Sequence, residues 1–486
     1  MSTLAVATDE VVELTLEAPQ GQIVRYDLPR LCSALGIDDP TRVAVETDGG
    51  RHALVTVYPS NPLASVRAVT REDLVMDRHG RITVGLYHNG RPAKKRLFDP
   101  STGSAQRFLM FGTTGAGKSR ALQLELVAEK INGIVSWLAD LKEGQSVPEA
   151  RDHVDFYGTS QEAAILILRA GVAVAHERMR RYSAAGRNAF LLGGGDPLLH
   201  VRIDEANRLL EKGAPYRDEA TYLIKELGRT GRSVGVGIGL AAQASHLEEL
   251  GGSDTLRAML KEGWVTLLRW TSSMMRQLVA DGLLPAGDQL QPIPRTLQVR
   301  ELRSQFDVDA EEDEEDGPGT QGTGYLLSGP RPNAMMRHLR IGSIAPLPGL
   351  DPEILALYGS EEPTRLEKAS WAAAGEAYAS RHDPDAMAVL CRVVAEEQQG
   401  AAGQGAGGGT AEGGSGGGSG KTRLLADRIL AALAAADAPM AAGDILDAVN
   451  ADGGREVSLG GLRNTLGGLA DRGDVERLER GLYAPA

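Results

Sequence analysis

Residues 107–130 read "RFLMFGTTGAGKSRALQLELVAEK". The apolar run "RFLMFG" suits a buried strand, and from Lys118 onward apolar residues recur at helical spacing. Between them, Gly112-x-x-x-x-Gly117-Lys118-Ser119 meets every required position of a phosphate-binding loop. The glycines at 112, 115 and 117 let backbone N–H groups turn toward an anion that side chains would block. Thr113, Thr114 and Ala116 complete that cradle, with Arg120 at its exit. Lys118 is placed to reach the β- and γ-phosphates of a nucleotide, and the Ser119 hydroxyl to ligate Mg2+. In a chain with 60 glycines a chance match is the competing reading. The order strand, loop, helix favours the phosphate site.

Such a loop needs an acidic partner at the end of a neighbouring strand. "LLHVRIDEAN" (198–207) supplies Asp204 and Glu205 after an apolar run. Asp204 is the candidate to hold Mg2+ through its water shell, and Glu205 to polarise the attacking water. The bland alternative is a helix-capping Asp after a strand. Next, "GRTGRSVGVGIGLAAQ" (228–243) ends a strand in Gln243, a candidate sensor of the γ-phosphate. Arg229 and Arg232 precede that strand, where an arginine could reach a neighbouring subunit's nucleotide. Helix ends favour arginine in any case.

The remaining chain organises around this centre. At 486 residues, two to four domains are expected. Residues 1–85 read as a β-rich module of short alternating strands around Gly-Gly, Asn-Gly and Pro. Residues 86–345 alternate strands and helices, as an α/β domain with a largely parallel sheet does. Its candidate strands are "RFLMFG", "GIVSWLAD", "LLHVRID", "VGVGIGLAA" and "GWVTLLRW". Residues 346–399 form a helical extension. Eight carboxylates lie between Asp307 and Asp316, expected to be a solvated loop. Residues 400–421 are a Gly-rich tether with an r.m.s. span of roughly 25 Å.

Residues 422–486 read as three helices followed by two short strands about Arg480-Gly481, the order of a winged helix-turn-helix. Its third helix is the one that would enter a major groove. There Ser458, Arg463 and Asn464 are the exposed polar candidates for base contacts, while Leu459, Leu462, Leu466 and Leu469 should pack inward. This segment carries seven Arg against ten Asp and Glu. Some winged helices dock protein instead, and that reading stays open.

Bulk numbers exclude several classes. The net charge of −13 rules out a basic nucleic-acid coat, so DNA contact must come from local patches or ring assembly. Cys32 and Cys391 match no metal or redox spacing, which suits a reducing cytosol. The N-terminus lacks the pattern of a signal peptide, and "AAILILRAGVAVA" is too short to span a membrane. A soluble, cytoplasmic protein is expected.

Residues from about 85 to 345 resemble the FtsK/SpoIIIE group of ring-shaped DNA-pumping ATPases. The likeness rests on "LMFGTTGAGKSRALQ", "LADLK", "HERMRRYSAAGRNAF", "RIDEANRLL", "GRTGRSVGVGIGLAAQ", "TSSMMRQLV" and "GTGYLLSGPRPNAMMRHLRI". The resemblance implies a RecA-like P-loop ATPase motor using ATP and Mg2+, a small N-terminal module, and a tethered winged helix reading double-stranded DNA. It gives Lys118, Ser119, Asp204, Glu205 and Gln243 the nucleotide roles above, and puts Arg232 at the family's arginine-finger position. It implies a homo-oligomer, a hexamer by expectation. The chain departs from the chromosomal members in lacking membrane helices, so a membrane-anchoring partner is implied. It also carries the acidic insertion, and "AAQ" where the family has "ATQ". The compact form is similar to conjugative-transfer members of actinobacterial mobile elements, with chromosome segregation as the neighbouring role. Two rivals stand beside a DNA motor: a protein-secretion ATPase of the same fold, and an ATP-switched DNA-binding regulator.

Overall fold

The computed structural model describes residues 10–243, 251–269, 290–296, 319–405, 425–436, 438–451, 475–479 and 482–485, with 462, 465, 466, 469 and 470 besides. The acidic stretch, most of the tether, and Ser458, Arg463 and Asn464 lie outside the described residues. The chain divides into two compact units, Met1–Ala406 and Gly407–Ala486.

The first unit begins with a small antiparallel sheet of β1 (Val12–Glu17), β2 (Val43–Thr47) and β3 (His52–Val57), in the order β1-β3-β2. Helix α1 (Leu28–Leu35) starts after Asp27, whose side chain accepts from the Arg30 N–H and satisfies one orphan donor of the first turn. Cys32, Ile37, Val43, Val55 and Val57 form this module's own core. A short helix α2 (Arg71–Leu74) leads into the hairpin β4 (Arg81–Tyr87) and β5 (Pro92–Arg96). A two-stranded ribbon, β6 (Phe98–Asp99) and β7 (Ser104–Ala105), follows.

Alternation of strand and helix then sets in. The elements are β8 (Arg107–Gly112), α3 (Lys118–Ile131), β9 (Val135–Asp140), β10 (Phe156–Gly158) and α4 (Gln161–Ala184). They continue with β11 (Leu199–Asp204), α5 (Asn207–Leu210), α6 (Arg217–Thr230), β12 (Val236–Ala242), α7 (Asp254–Lys261) and β13 (Trp264–Leu268). Strands β14 (Thr323–Leu326) and β15 (Met335–His338) complete a ten-stranded sheet of order β10-β9-β11-β12-β8-β13-β14-β15-β4-β5. The first six strands in that order are mutually parallel, and the last four pair antiparallel.

The five candidate strands read from sequence are the five adjacent strands β9, β11, β12, β8 and β13. All six residues of β8, β9 and β11 are buried, as strands covered on both faces must be. Phe108, Leu109 and Phe111 are each at most 2% exposed, and such side chains contribute roughly 1.5–3 kcal/mol apiece on burial.

One expected boundary needs correction. The division at 85/86 falls inside β4, which pairs with β15 and so belongs to the main sheet. Its alternation and Asn-Gly turn announce a hairpin, but cannot tell which sheet that hairpin joins. The helix Pro384–Gly405 likewise runs into the segment expected to be tether from residue 400.

Helices Pro352–Tyr358 and Lys368–Ala379 pack back onto the sheet domain through Ile354, Tyr358 and Tyr378. Arg178 and Arg181 on α4 fix this extension, reaching Glu367 at 2.8 and 2.7 Å. Arg178 is fully buried and also donates to the carbonyls of Val234, Gly235 and Pro197.

In the second unit, helices Leu425–Ala434 and Ala442–Ala451 accompany β16 (Met440–Ala441), β17 (Val475–Glu479) and β18 (Leu482–Pro485). These strands pair antiparallel in the order β16-β18-β17. Leu462, Leu466 and Leu469 are buried with Ile429, Ile445, Val449 and Tyr483. Their spacing of four and three puts them on one helical face.

Candidate functional site

The phosphate-loop sequence sits at the carboxyl end of β8, in the middle of the parallel block. Gly112 pairs with Leu268 of β13, and a Cβ on it would lie 3.0 Å from the Leu268 carbonyl oxygen. Gly117 has φ +98°, a left-handed conformation that L side chains rarely adopt, and it caps α3. A Cβ there would lie 3.0 Å from the Gly322 nitrogen, which itself donates to the Ala116 carbonyl at 2.9 Å. The first-turn N–H groups of α3 have no intrahelical acceptors and sit at the positive end of a 14-residue helix. Lys118, 7% exposed, donates to the Gly112 carbonyl at 2.8 Å. Burial lowers its pKa, and the carboxylates of Glu205 and Asp204 oppose that shift. Ser119 is half-buried beside it.

Strand β11 lies two places from β8, separated by β12. Asp204 ends it opposite Asp140 of β9 and is 1% exposed. Neither of its carboxyl oxygens has a well-formed hydrogen bond among the described residues. Burial, opposed by the nearby Ser146 hydroxyl and reinforced by Asp140 and Glu205, pushes its pKa up to about 6. An acid stranded in this way suits a cation, which would supply the missing partner. Glu205, 2% exposed, holds a left-handed φ of 52°. A non-glycine residue in that region carries strain, and such strain clusters at functional sites. Its carboxylate meets the Lys142 ammonium at 2.6 Å and accepts from Gln243 Nε2 at 3.1 Å. Gln243 also faces Thr114, whose hydroxyl donates to Gln243 Oε1 at 3.5 Å. Gln243 therefore connects the acid strand to the phosphate loop.

Lys118, Asp204, Glu205 and Gln243 thus converge at the carboxyl ends of β8, β11 and β12. The loop's left-handed glycines, the buried ammonium and the stranded acid fit a nucleoside triphosphate with a divalent cation. The Arg120 side chain points elsewhere, toward Asp351 at 3.5 Å. Arg232 opens a short 3-10 turn, Arg232–Val234, at the start of β12. Gln243 lies at that strand's other end, about 20 Å away at strand rise. One chain does not bring Arg232 to its own loop. Arg229 is exposed in the last turn of α6.

Two residues with no assigned role enter the site. Lys142, in the "LADLK" segment after β9, holds Glu205. Arg269, after β13, brackets the loop: its carbonyl accepts from the Thr113 hydroxyl at 3.0 Å, and its Nη2 donates to the Thr114 carbonyl at 2.9 Å. A cavity of about 460 Å³ between the N-terminal module and the antiparallel strands, lined by Val43, Leu63, Ile293 and Tyr325 among others, contains none of these groups.

No family model and no curated protein matches the chain. Among solved structures it is similar to the pCW3 conjugation coupling protein TcpA in monomer form with ATPγS. The identity is 14% and the TM-score 0.44, over 70% of this chain and 88% of that one. It is similar to the cytoplasmic domain of the Thermomonospora curvata type VII secretion ATPase EccC, at 20% identity and TM-score 0.42, over 63% of this chain and 34% of that one. For ATPases 2 and 3 of EssC from Geobacillus thermodenitrificans the values are 14% and 0.38, over 69% and 52%. The chain spans about a third of that EccC domain and about half of that EssC fragment. Its structural neighbours are therefore a conjugation coupling protein and secretion ATPases. At these scores the likeness assigns no role to any residue, and the roles below rest on the geometry.

Proposed function

We propose that this chain is an ATP-hydrolysing motor of the FtsK/SpoIIIE type that moves double-stranded DNA, in the transfer of plasmid or mobile-element DNA. The observation that carries the reading is the meeting of Lys118, Asp204, Glu205 and Gln243 at the mouth of one parallel sheet. Lys118 exchanges the Gly112 carbonyl for the β- and γ-phosphates, and the loop N–H groups hold the phosphate oxygens. Ser119 and Asp204 would hold Mg2+, which would offset phosphate charge when bound. Glu205 orients the attacking water and takes up its proton. Gln243, in contact with both Glu205 and Thr114, registers the γ-phosphate. Arg232 serves the nucleotide of the next subunit in a ring, where it stabilises charge developing in the transition state.

The second unit is the proposed DNA reader, with Ser458, Arg463 and Asn464 on its third helix. Its buried Leu462, Leu466 and Leu469 and its three-stranded sheet are what a winged helix requires, and they support that role. Its excess of acidic residues favours a second reading, in which the unit docks protein. No helix among the described residues is long and apolar enough to cross a membrane. ATP turnover by the full chain tests the choice. It should rise several-fold with duplex DNA and stay flat with unfolded polypeptide; the opposite pattern would move the protein to secretion.

A further inference from the structure

Arg269 is 5% exposed, and no carboxylate lies within ion-pairing distance of it among the described residues. Its Nη2 has the Thr114 carbonyl, while its Nε is buried with no hydrogen-bond partner among those residues. Another cation, Arg295, adds to burial in lowering its pKa. Its backbone holds φ at 28°, outside the conformations ordinary residues prefer. A Cβ added to Gly115 would lie 3.0 Å from its Nη2, so the guanidinium lies directly against the phosphate loop. Its charge is felt at Lys118 as well.

Three buried guanidinium groups elsewhere among the described residues have carboxylate partners, whereas Arg337 spreads its donors over the Leu63, Ala64 and Gly319 carbonyls. Arg202 meets Glu129 and Glu125, Arg381 meets Asp155, and Arg178 meets Glu367. A desolvated charge without a counter-charge is strongly unfavourable, and a strained backbone adds to that cost. Both costs are offset if an anion completes the site. The geometry points to Arg269 as a second, same-chain cation for the polyphosphate of the nucleotide. It is supplied by the strand beside the phosphate-loop strand, and with no carboxylate against it among the described residues, phosphate would provide the counter-charge. This rests on the nucleotide reading of the loop and extends it to a residue that the sequence placed in the strand "GWVTLLRW" without a role. Gly115 has its own explanation here, since any side chain would separate the guanidinium from the loop. The planar fork of Arg suits two phosphate oxygens at once, which a Lys cannot match.

The test is thermal melting and equilibrium binding of the full chain, with Mg-ATP and with magnesium tripolyphosphate as probes. Tripolyphosphate presents the phosphates without the base. Wild type should be stabilised by both. Arg269→Met should melt no lower than wild type without ligand, lose at least half of either ligand-induced shift, and bind ATP roughly 10- to 100-fold more weakly. Arg269→Lys should retain more affinity than Arg269→Gln, because charge is the contribution at issue; this pair decides the matter if the Met variant does not fold. A merely structural pin predicts a lower melt without ligand and an intact ligand-induced shift, and that result overturns the inference, as would equal affinities for the Lys and Gln variants. If wild type shows no shift with either probe, the nucleotide reading fails and takes this inference with it. A full wild-type shift that survives in Arg269→Met overturns this inference alone.

Discussion

Removing the Lys118 ammonium leaves β8, α3 and the loop N–H groups in place but takes away the loop's own positive charge against the β- and γ-phosphates. Lys118→Ala should therefore lose ATP hydrolysis to background in a phosphate-release assay while its circular dichroism is unchanged; near-normal turnover would place the nucleotide site elsewhere. Glu205→Gln keeps shape and hydrogen bonding but not the base. It should bind ATP and turn it over about 100-fold or more slowly. Away from the site, His338 is buried with no hydrogen bond to either ring nitrogen among the described residues. Burial, with Lys95 nearby, depresses its pKa to about 4, against an unfolded value of 6.5. The folded state thus resists a proton that the unfolded state accepts. Stability is unaffected above pH 6.5 and falls by on the order of 3 kcal/mol as pH drops from there toward 4. His338→Leu should lessen that loss in denaturant titrations at pH 5, and an equal acid sensitivity would contradict the assignment. The residues legible in the sequence, Lys118, Ser119, Asp204, Glu205 and Gln243, sit in motifs whose spacing is local. Lys142 and Arg269 were not legible, because their places depend on β9 lying beside β11 and β13 beside β8, which no short window records.

Helix α3 shows how an element ties the site to the fold. Its first residue is Lys118, and one turn apart on its buried face stand Glu125 and Glu129. Glu129 accepts from Arg202, from His200 at 2.8 Å and from Ser136 at 2.6 Å, while Glu125 pairs with Lys95 at 2.6 Å. Against the pull of burial, Arg202 and His200 hold the Glu129 pKa down at about 2. Arg202 lies two residues before Asp204, so this network locks the loop's helix to the acid strand. Glu129→Leu should cost about 3–5 kcal/mol in urea unfolding, since it strands Arg202. Glu129→Leu with Arg202→Leu should cost clearly less than the sum of the two single changes; additive losses would show that the pair is not coupled. Helix α3 and the five parallel strands could be read from apolar runs and helical spacing. Assignment of the β4–β5 hairpin could not, since Lys95 meets Glu125 only once that hairpin has joined the far edge of the sheet.

At the scale of the whole molecule, Arg232 lies at the opposite end of β12 from Gln243, so the proposed catalytic set is complete only between copies. Light scattering with an ATP analogue and duplex DNA should show a ring-sized assembly, and Arg232→Ala mixed with wild type should depress turnover more than dilution does. A monomer with full DNA-stimulated activity would contradict that arrangement. Cutting the chain before Lys421 should leave assembly and hydrolysis on duplex DNA intact while removing any sequence preference in a binding selection. That two separate units exist was legible from the Gly-rich composition of 400–420, whereas the extent of the preceding helix was not. The most direct test of the account is displacement of a third strand from a triplex-bearing duplex. Wild type with ATP should strip that strand, and neither Glu205→Gln nor Arg232→Ala should do so. ATP turnover by wild type with the third strand left in place, and turnover stimulated by polypeptide instead, would contradict a DNA motor.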